Sequence, residues 1–253
     1  MNGSKYKIIR INTSKIKAII KISALILLFF FCVDFLTNLY MRRDEYIESM
    51  LIETERKLII IDAGHGGEDP GTLSKSGIME KDLNLEFAYT IGAMFAERGY
   101  AVLYTRTKDK LLYTDEENIK GIRKISDLKN RCKIAAEYPE ALFISIHMNS
   151  YKNSKYKGLQ VYYSENNVES QRLAQSVQDK VSTTVQLDNS RKIKPGNDIY
   201  LLENAPNTTI LIECGFLSNP EEAEKLSEKE YQKELRLAIV CGIIEYKDMI
   251  QSN

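Results

Sequence analysis

The fold is decided by Leu58-Ile59-Ile60-Ile61-Asp62-Ala63-Gly64-His65-Gly66-Gly67, a short apolar run that leads into glycines. A continuous apolar run before a Gly-rich turn is typical of a strand that is buried on both faces, as in a parallel sheet. The turn carries His65, one of the two histidines in the 253-residue chain. The stretch therefore predicts a buried strand whose end presents an imidazole.

Downstream of this strand, segments with helix and strand patterns alternate. Apolar residues recur at helical spacing from Leu83 to Phe95, and Gly99 stands where a helix C-terminus favours glycine. Further strands are predicted over 101–105, 141–146, 159–163, 200–202 and 209–212, and further helices around 128–135, around 173–177 and through 235–243. This alternation predicts an α/β fold: a three-layer single domain over residues 57–253, with a largely parallel central sheet flanked by helices.

Two helix starts are indicated near the C-terminus. Ser227, with Glu230 three residues later, fits a capping box at the start of the last helix. Just before it, Asn219 and Pro220 form a good pair of N-cap and first helical residue.

The first 40 residues have the composition of a targeting segment. Residues 1–21 contain six Lys and Arg and no Asp or Glu, and Ile22–Val33 has no charged residue. A helix over residues 22–40 would be about 28 Å long, close to the ~30 Å hydrocarbon thickness of a bilayer. The uncharged run alone, at roughly 18 Å, has the length of a signal-peptide core. Basic residues before an apolar segment predict a cytoplasmic N-terminus and export of the chain that follows.

We interpret this segment as an uncleaved signal anchor, because Val33 is followed by Asp34, Phe35 and Leu36 rather than by a small-residue cleavage site. A cleaved signal, which would give a secreted protein, and a buried core helix are the alternatives. The predicted organisation is a basic cytoplasmic segment (1–21), a transmembrane signal anchor (22–40), a linker or lead-in helix (41–56) and the folded domain (57–253). That domain would lie at the outer face of the cell membrane.

The charge balance argues against one class of function. The chain has 35 basic and 35 acidic side chains, but six of the basic ones precede the apolar segment. The part predicted to be exported is therefore net negative. A nucleic-acid partner is not expected, because such binding depends on neutralising phosphates with Lys and Arg.

Four side chains are placed where ligands bind in α/β proteins. His65, His147 and Glu213 each follow a predicted strand, and the carboxyl ends of parallel strands form the ligand-binding edge. Glu80 reaches the same edge if the Gly-rich loop before it folds back. Two imidazoles and a carboxylate make a three-ligand zinc set that leaves a position for water, and a spare carboxylate can act as general base.

Taken singly, these residues also have structural interpretations. His147 can be a core histidine, and Glu80 can be a solvated carboxylate favoured by the helix dipole. Glu213 differs, since a carboxylate adjoining an apolar strand is costly to bury unless it is paired or metal-bound. The spacing of these residues alone does not decide between a metal site and structural roles, because no short HxxxH or HxH signature is present.

The motifs around these residues, taken together, resemble those of a known family. They are 59–67 (IIIDAGHGG), 80–85 (EKDLNL), 145–149 (SIHMN) and 213–219 (ECGFLSN). In this order they resemble the zinc-dependent N-acetylmuramoyl-L-alanine amidases, the amidase-3 family, over nearly all of residues 57–250. The resemblance implies a hydrolase that cleaves the amide between N-acetylmuramic acid and L-alanine in peptidoglycan, and it makes 57–253 the catalytic domain.

The same resemblance implies roles for single residues. His65, Glu80 and His147 would bind one Zn²⁺ per chain, and Glu213 would be the catalytic carboxylate. Arg106 and Arg131 also match family positions. For both arginines we expect a structural role at the sheet edge rather than substrate binding. No residue is assigned to substrate binding, and a need for an activating partner protein stays open.

The resemblance is nearer still to the germination-specific, spore-cortex branch. The N-terminal anchor, the absence of wall-binding repeats in the sequence and the long Thr107–Ser126 segment are similar to that branch. It implies removal of stem peptides ahead of muramic-δ-lactam formation, at the forespore. One departure is Ala135-Ala136-Glu137, where the family often has Ala-Asn. The alternatives are another zinc hydrolase, such as a wall-peptide carboxypeptidase, and a non-catalytic wall-binding module.

Overall fold

The computed structural model describes residues 13–251, so the first twelve residues of the predicted cytoplasmic segment lie outside the described part. The chain divides into two compact units, Met1–Ile52 and Glu53–Asn253. Helix α1, Thr13–Arg56, begins in the first unit and continues through the predicted linker. Within its stretch Ile20–Ile47, an 18-residue window has a mean hydropathy of 2.2 and is not buried, so this stretch is long and apolar enough to cross a membrane.

The second unit is built on a six-stranded sheet. Its strands are β1 Leu58–Ala63, β2 Ala101–Tyr104, β3 Leu142–Asn149, β4 Gln160–Tyr163, β5 Lys194–Pro195 and β6 Thr209–Phe216. They lie in the order β2-β1-β3-β6-β4-β5, and every pair is parallel except β4 with β6. The helices are α2 Glu80–Ala96, α3 Arg123–Glu137, α4 Val168–Thr184, α5 Tyr200–Asn204, α6 Pro220–Lys225 and α7 Lys229–Gln251. The predicted α/β class with a largely parallel sheet is confirmed.

The alternation of side chains along β1 builds both apolar layers. Ile59 and Ile61 pack with α2, α4 and α7 on one face, and Ile60 packs with Phe143 and α5 on the other. All four side chains are completely buried. Since burying an isoleucine contributes about 1.5–3 kcal/mol, the β1 run is a large source of stability at the centre of the sheet.

The prediction of a strand at residues 200–202 is wrong. Tyr200–Asn204 forms the short helix α5, and Leu201 and Leu202 are buried. A run of three apolar residues does not distinguish a buried strand from a buried helical turn, because both bury the same side chains.

The two predicted helix starts differ in outcome. The side chain of Asn219 accepts a hydrogen bond from the Glu222 amide at 3.1 Å and Pro220 opens the helix, as predicted, but this helix is the separate α6. The capping box is not formed, since the Ser227 hydroxyl donates to the Ala223 carbonyl at 2.9 Å and α7 begins at Lys229. The hydroxyl ends one helix instead of starting the next.

Candidate metal centre and active site

Three of the four singled-out side chains meet at the carboxyl edge of the sheet. His65 follows β1, His147 lies near the end of β3, and Glu80 is the first residue of α2. One ligand atom from each lies within 4.8 Å of the others, a spacing that suits a single metal ion. The Glu80 Oε1 atom is 3.1 Å from His65 Nε2 and 3.0 Å from His147 Nδ1.

Glu80 arrives at this edge because the Gly-rich loop folds back over it. Its Oε2 atom accepts a hydrogen bond from the Thr72 amide at 2.8 Å, and its own amide donates to the Thr72 carbonyl at 2.9 Å. Oε1 accepts from the Met148 amide at 3.1 Å and from Asn84 Nδ2 at 3.3 Å. The carboxylate is therefore buried but held by three hydrogen-bond donors and two histidines. Burial alone would raise the pKa of Glu80, and the hydrogen bonds and charges of His147 and His65 lower it far below its usual value.

At two glycines beside the cluster, the backbone comes too close to the ligand side chains to carry a side chain of its own. A Cβ on Gly64 would collide with the His147 ring, and a Cβ on Gly71, whose φ is 64°, would collide with the Glu80 carboxylate. His65 has a φ of 62° and is the one non-glycine residue with a positive φ between residues 13 and 251. A histidine in this region is strained by about 1–3 kcal/mol, a cost that clusters at functional sites.

Two buried arginines hold the strained loop by its carbonyl groups. Arg131 Nη2 donates to the His65 carbonyl at 3.0 Å, and Nη1 of the same side chain donates to the Ala63 carbonyl at 2.8 Å. Arg106 Nε donates to the Ala63 carbonyl at 2.9 Å, and its Nη2 donates to the Gly64 carbonyl at 3.0 Å. In the structure, both side chains thus act on the backbone that carries His65.

The charge of Arg131 is balanced beneath the loop. Its Nη1 pairs with Asp62, and its Nε lies 2.9 Å from Asp127 Oδ2. Asp62 also accepts hydrogen bonds from the hydroxyls of Ser145 and Thr105, each at 2.6 Å. Burial acts to raise the pKa of Asp62, and Arg131 and the two hydroxyls more than offset it, so the carboxylate stays ionised.

Asp69 is a functional candidate that sequence reasoning missed. Its Oδ2 atom lies 2.9 Å from His65 Nδ1 and 3.0 Å from Lys124 Nζ. A carboxylate on the far nitrogen of a metal-ligating histidine fixes its tautomer and orients the ring. The one sequence signal was an aspartate four residues after a loop histidine, and the contact depends on the left-handed turn at His65.

The same contacts set the charge of His65 in the metal-free protein. Burial lowers its pKa, but the hydrogen bonds to Asp69 and Glu80 dominate and raise the pKa of His65 from 6.5 to about 9. In return, the hydrogen bond with His65 lowers the pKa of Asp69 well below its usual range. The pocket therefore holds a positive charge at the place where a metal ion would lie.

Glu213 joins the cluster through the register of the sheet. It pairs with His147 across the parallel strands β3 and β6, so the two side chains lie on the same face. Its Oε2 atom is buried and has no hydrogen-bond partner within the described residues. Burial and the nearby charge of Glu80 raise the pKa of Glu213 to about 7, against the attraction of His147 and His65. An orphaned buried carboxylate oxygen beside a nitrogen–oxygen ligand set is chemically suited to a nearby cation or water.

A cleft of about 430 Å³ opens beside this cluster. One wall of the cleft is formed by His65, His147 and Asp69, and another by Tyr200 and Leu201 of α5. The volume lies within the range of small-molecule binding sites, about 300–1,000 Å³. The helix that sequence reasoning took for a strand thus contributes a wall of the cleft.

A mostly parallel sheet with imidazole and carboxylate donors gathered at its carboxyl edge is an arrangement typical of hydrolytic enzymes that use a metal ion. The family described as N-acetylmuramoyl-L-alanine amidase, amidase-3, matches residues 59–245. The chain belongs to this family and is a peptidoglycan amidase. The resemblance drawn from the motifs is confirmed.

Individual relatives agree with this assignment. A germination-specific N-acetylmuramoyl-L-alanine amidase of Bacillus subtilis is 35% identical over 190 residues, 75% of this chain and 79% of the relative. The CwlD amidase of Clostridioides difficile, solved in complex with the GerS lipoprotein, matches with a TM-score of 0.72 and 38% identity, covering 76% of this chain and 98% of that chain. The amidase AmiC2 of Nostoc punctiforme matches with a TM-score of 0.65 and 28% identity over 76% of this chain and 98% of that chain.

Proposed function

We propose that this amidase is zinc-dependent, with one Zn²⁺ held by His65, Glu80 and His147 and with Glu213 as the catalytic carboxylate. The observation that supports it is the convergence of three ligand atoms within 4.8 Å, next to the unpaired carboxylate oxygen of Glu213. Two imidazoles and one carboxylate are a common set for catalytic zinc, and they leave a position for water. The glycines that make room for the His147 ring and for the Glu80 carboxylate fit the same proposal.

A bound zinc ion supplies Lewis acidity, which polarises the scissile carbonyl and makes a water molecule more acidic. The chain's own residues do the rest. Asp69 accepts a hydrogen bond from the Nδ1–H group of His65, so that Nε2 presents its lone pair to the cluster. Glu213 takes a proton from the attacking water and delivers it to the leaving amine, a role that suits a carboxylate whose pKa lies near neutrality.

The competing functions give different products from peptidoglycan. An amidase releases stem peptides that begin with L-alanine, whereas a carboxypeptidase shortens stems that stay attached to the glycan. A wall-binding module releases neither. Mass spectrometry of purified peptidoglycan after digestion, with zinc analysis of the same protein sample, distinguishes the three. Intact glycan-linked L-alanine after prolonged digestion by zinc-loaded protein would contradict the proposal.

We further propose a role in the spore cortex, supported by the similarity to the germination-specific amidase of Bacillus subtilis and to CwlD. The enzyme would remove stem peptides so that bare muramic acid can close to muramic-δ-lactam. A deacetylase must act as well, because lactam formation needs a free amine. Spores of a deletion strain should lack muramic-δ-lactam, and its persistence would count against the role.

The apolar stretch Ile20–Ile47 supports a location at the outer face of the membrane, with the N-terminus inside. Protease added to intact protoplasts should then digest the catalytic unit and spare a membrane-bound N-terminal fragment. N-terminal sequencing of mature protein that begins between residues 34 and 50 would show instead that the segment is cleaved.

A lipoprotein partner is a related proposal, because the CwlD amidase was solved in complex with the GerS lipoprotein. Full-length tagged protein purified from sporulating cells should then bring a lipoprotein with it in a stoichiometric amount. Purification of the amidase alone, with full activity, would argue that this chain works without one.

A further inference from the structure

Arg191 lies on an aromatic platform at the β4–β5 side of the sheet. Its guanidinium carbon is 4.5 Å from the ring centre of Phe216 and 5.6 Å from that of Tyr156. The two rings are themselves stacked, with centres 6.3 Å apart. Stacking on two rings restricts the long arginine side chain to a narrow set of positions, so its remaining donors are preorganised.

The platform adjoins the proposed catalytic carboxylate. Arg191 Nη1 donates to Gln160 Oε1 at 2.7 Å, and Gln160 pairs with Glu213 across the antiparallel strands β4 and β6. Directly opposed side chains in such a pair lie on the same face, about 5 Å apart, which places the guanidinium roughly 10 Å from the Glu213 carboxylate. Phe216 is also close, since it pairs with Asn149, two residues after His147.

No carboxylate of the described residues forms a direct ion pair with Arg191, although Glu222 lies near it: burial raises the pKa of Glu222, and the charge of Arg191 partly counteracts that rise. The hydrogen bonds of Arg191 go to neutral acceptors, Gln160 Oε1 and the Lys157 carbonyl at 2.8 Å. It lines a groove of about 600 Å³ whose lining holds six basic residues, Arg191 among them, and three acidic ones, Asp188, Glu221 and Glu222. The half-buried guanidinium thus faces a groove in which basic side chains outnumber acidic ones, a charge balance that favours an anion.

We infer that Arg191 binds a carboxylate on the peptide side of the scissile amide, on the residue that follows L-alanine. This inference rests on the proposed amidase site at Glu213. The distance from Glu213 to Arg191 suits this assignment, because two extended residues of a stem peptide span about 7 Å. The enzyme then prefers stems in which that residue has a free carboxylate over stems in which the same group is amidated.

The test uses a matched pair of short muropeptides that differ in that group alone, a free carboxylate in one and a carboxamide in the other. A hydrogen-bonded ion pair of this kind corresponds to a preference of about 10–100-fold in kcat/KM for the acid. Arg191→Gln should lose this preference, mainly through a higher KM for the acid, and should keep its rate on the amide. Arg191→Lys should retain part of the preference, since it keeps the charge without the planar fork.

Arg172→Gln is the matched control, because Arg172 is an exposed arginine of α4. It should behave as wild type on both substrates, and all variants should hold the same amount of zinc. Equal cleavage of the two substrates by the wild type, or an equal loss on both in Arg191→Gln, would overturn the inference while leaving the amidase function intact.

If the wild type cleaves neither substrate, the proposed catalytic function fails independently of the Arg191 subsite. Calorimetry then tests carboxylate binding by Arg191 directly. The probes are the two released peptides, which begin with L-alanine and carry either the free carboxylate or the carboxamide on the next residue, titrated into wild type and Arg191→Gln. Tighter binding of the acid by the wild type alone supports the subsite, and equal binding contradicts it.

Discussion

Glu213 lies directly opposite His147 in the pairing of β6 with β3, and both side chains lie on the same face of the sheet. This register brings a buried, unpaired carboxylate oxygen beside the proposed zinc ligands. Because strand register is fixed by the buried apolar residues on the opposite face, the spacing of acid and ligand is built into the core rather than into a mobile loop.

Glu213→Gln removes the proton-accepting group and keeps the size of the side chain. We expect zinc content and thermal stability to stay at or above wild type, since the buried charge is gone, and kcat to fall by about 10²–10⁴-fold. Zinc analysis and stem-release assays on the same preparation check this. Turnover within a few-fold of wild type would show that another group moves the proton.

Asp69→Asn weakens the acceptor that orients His65. Loss of such an outer partner costs about 10–100-fold in metal affinity or activity, so competition with a chelator should reveal weaker zinc binding. Asp188→Asn is a suitable control, because Asp188 forms an exposed pair with Lys157 away from the cluster. Wild-type zinc affinity in Asp69→Asn would mean that the hydrogen bond is incidental.

The metal-free protein should show a pH dependence that zinc removes. The pKa of His65 is raised from 6.5 to about 9, so its contribution to folding is complete below pH 6.5 and is lost as the pH rises to 9. Chelated protein should therefore lose stability across this window, as measured by denaturant unfolding. Zinc must displace the same proton, so apparent zinc affinity should rise over pH 6.5–9. A flat zinc affinity across the window would contradict the assignment of His65.

Arg131→Met leaves Asp62 buried without its charge partner and frees the carbonyl of His65. Breaking a buried ion pair in this way costs about 3–5 kcal/mol of unfolding free energy. The exposed pair of Arg172 with Glu169 provides the comparison, since Arg172→Met should cost about 0–1 kcal/mol. Similar losses in the two variants would show that the network under the loop is not important for stability.

The parts of the site that depend on the periodicity of apolar residues are predictable from the sequence. The apolar run of β1 and the strands before His147 and Glu213 were enough to place those side chains at one edge of a parallel sheet. Glu80 was placed there conditionally, and the folded-back loop supplies the missing step through its hydrogen bonds with Thr72.

The remaining features depend on contacts that no local pattern encodes. Asp69 reaches His65 only because His65 adopts a left-handed backbone conformation, which is unusual for a non-glycine residue. Arg191 lies on a connection between α4 and β5, and its relation to Glu213 passes through Gln160 on a third segment. The helix α5 was mistaken for a strand because three apolar residues fit either structure.

The proposed role of one zinc ion at His65, Glu80 and His147 in the amide hydrolysis is tested most directly by measuring bound zinc and released stem peptides together. We compare wild type with His65→Ala, whose zinc and activity should both be lost. Wild-type protein should hold one zinc per chain and release peptides beginning with L-alanine, and added chelator should abolish release until zinc is restored. Undiminished release of those peptides by chelated wild type or by His65→Ala would contradict the account.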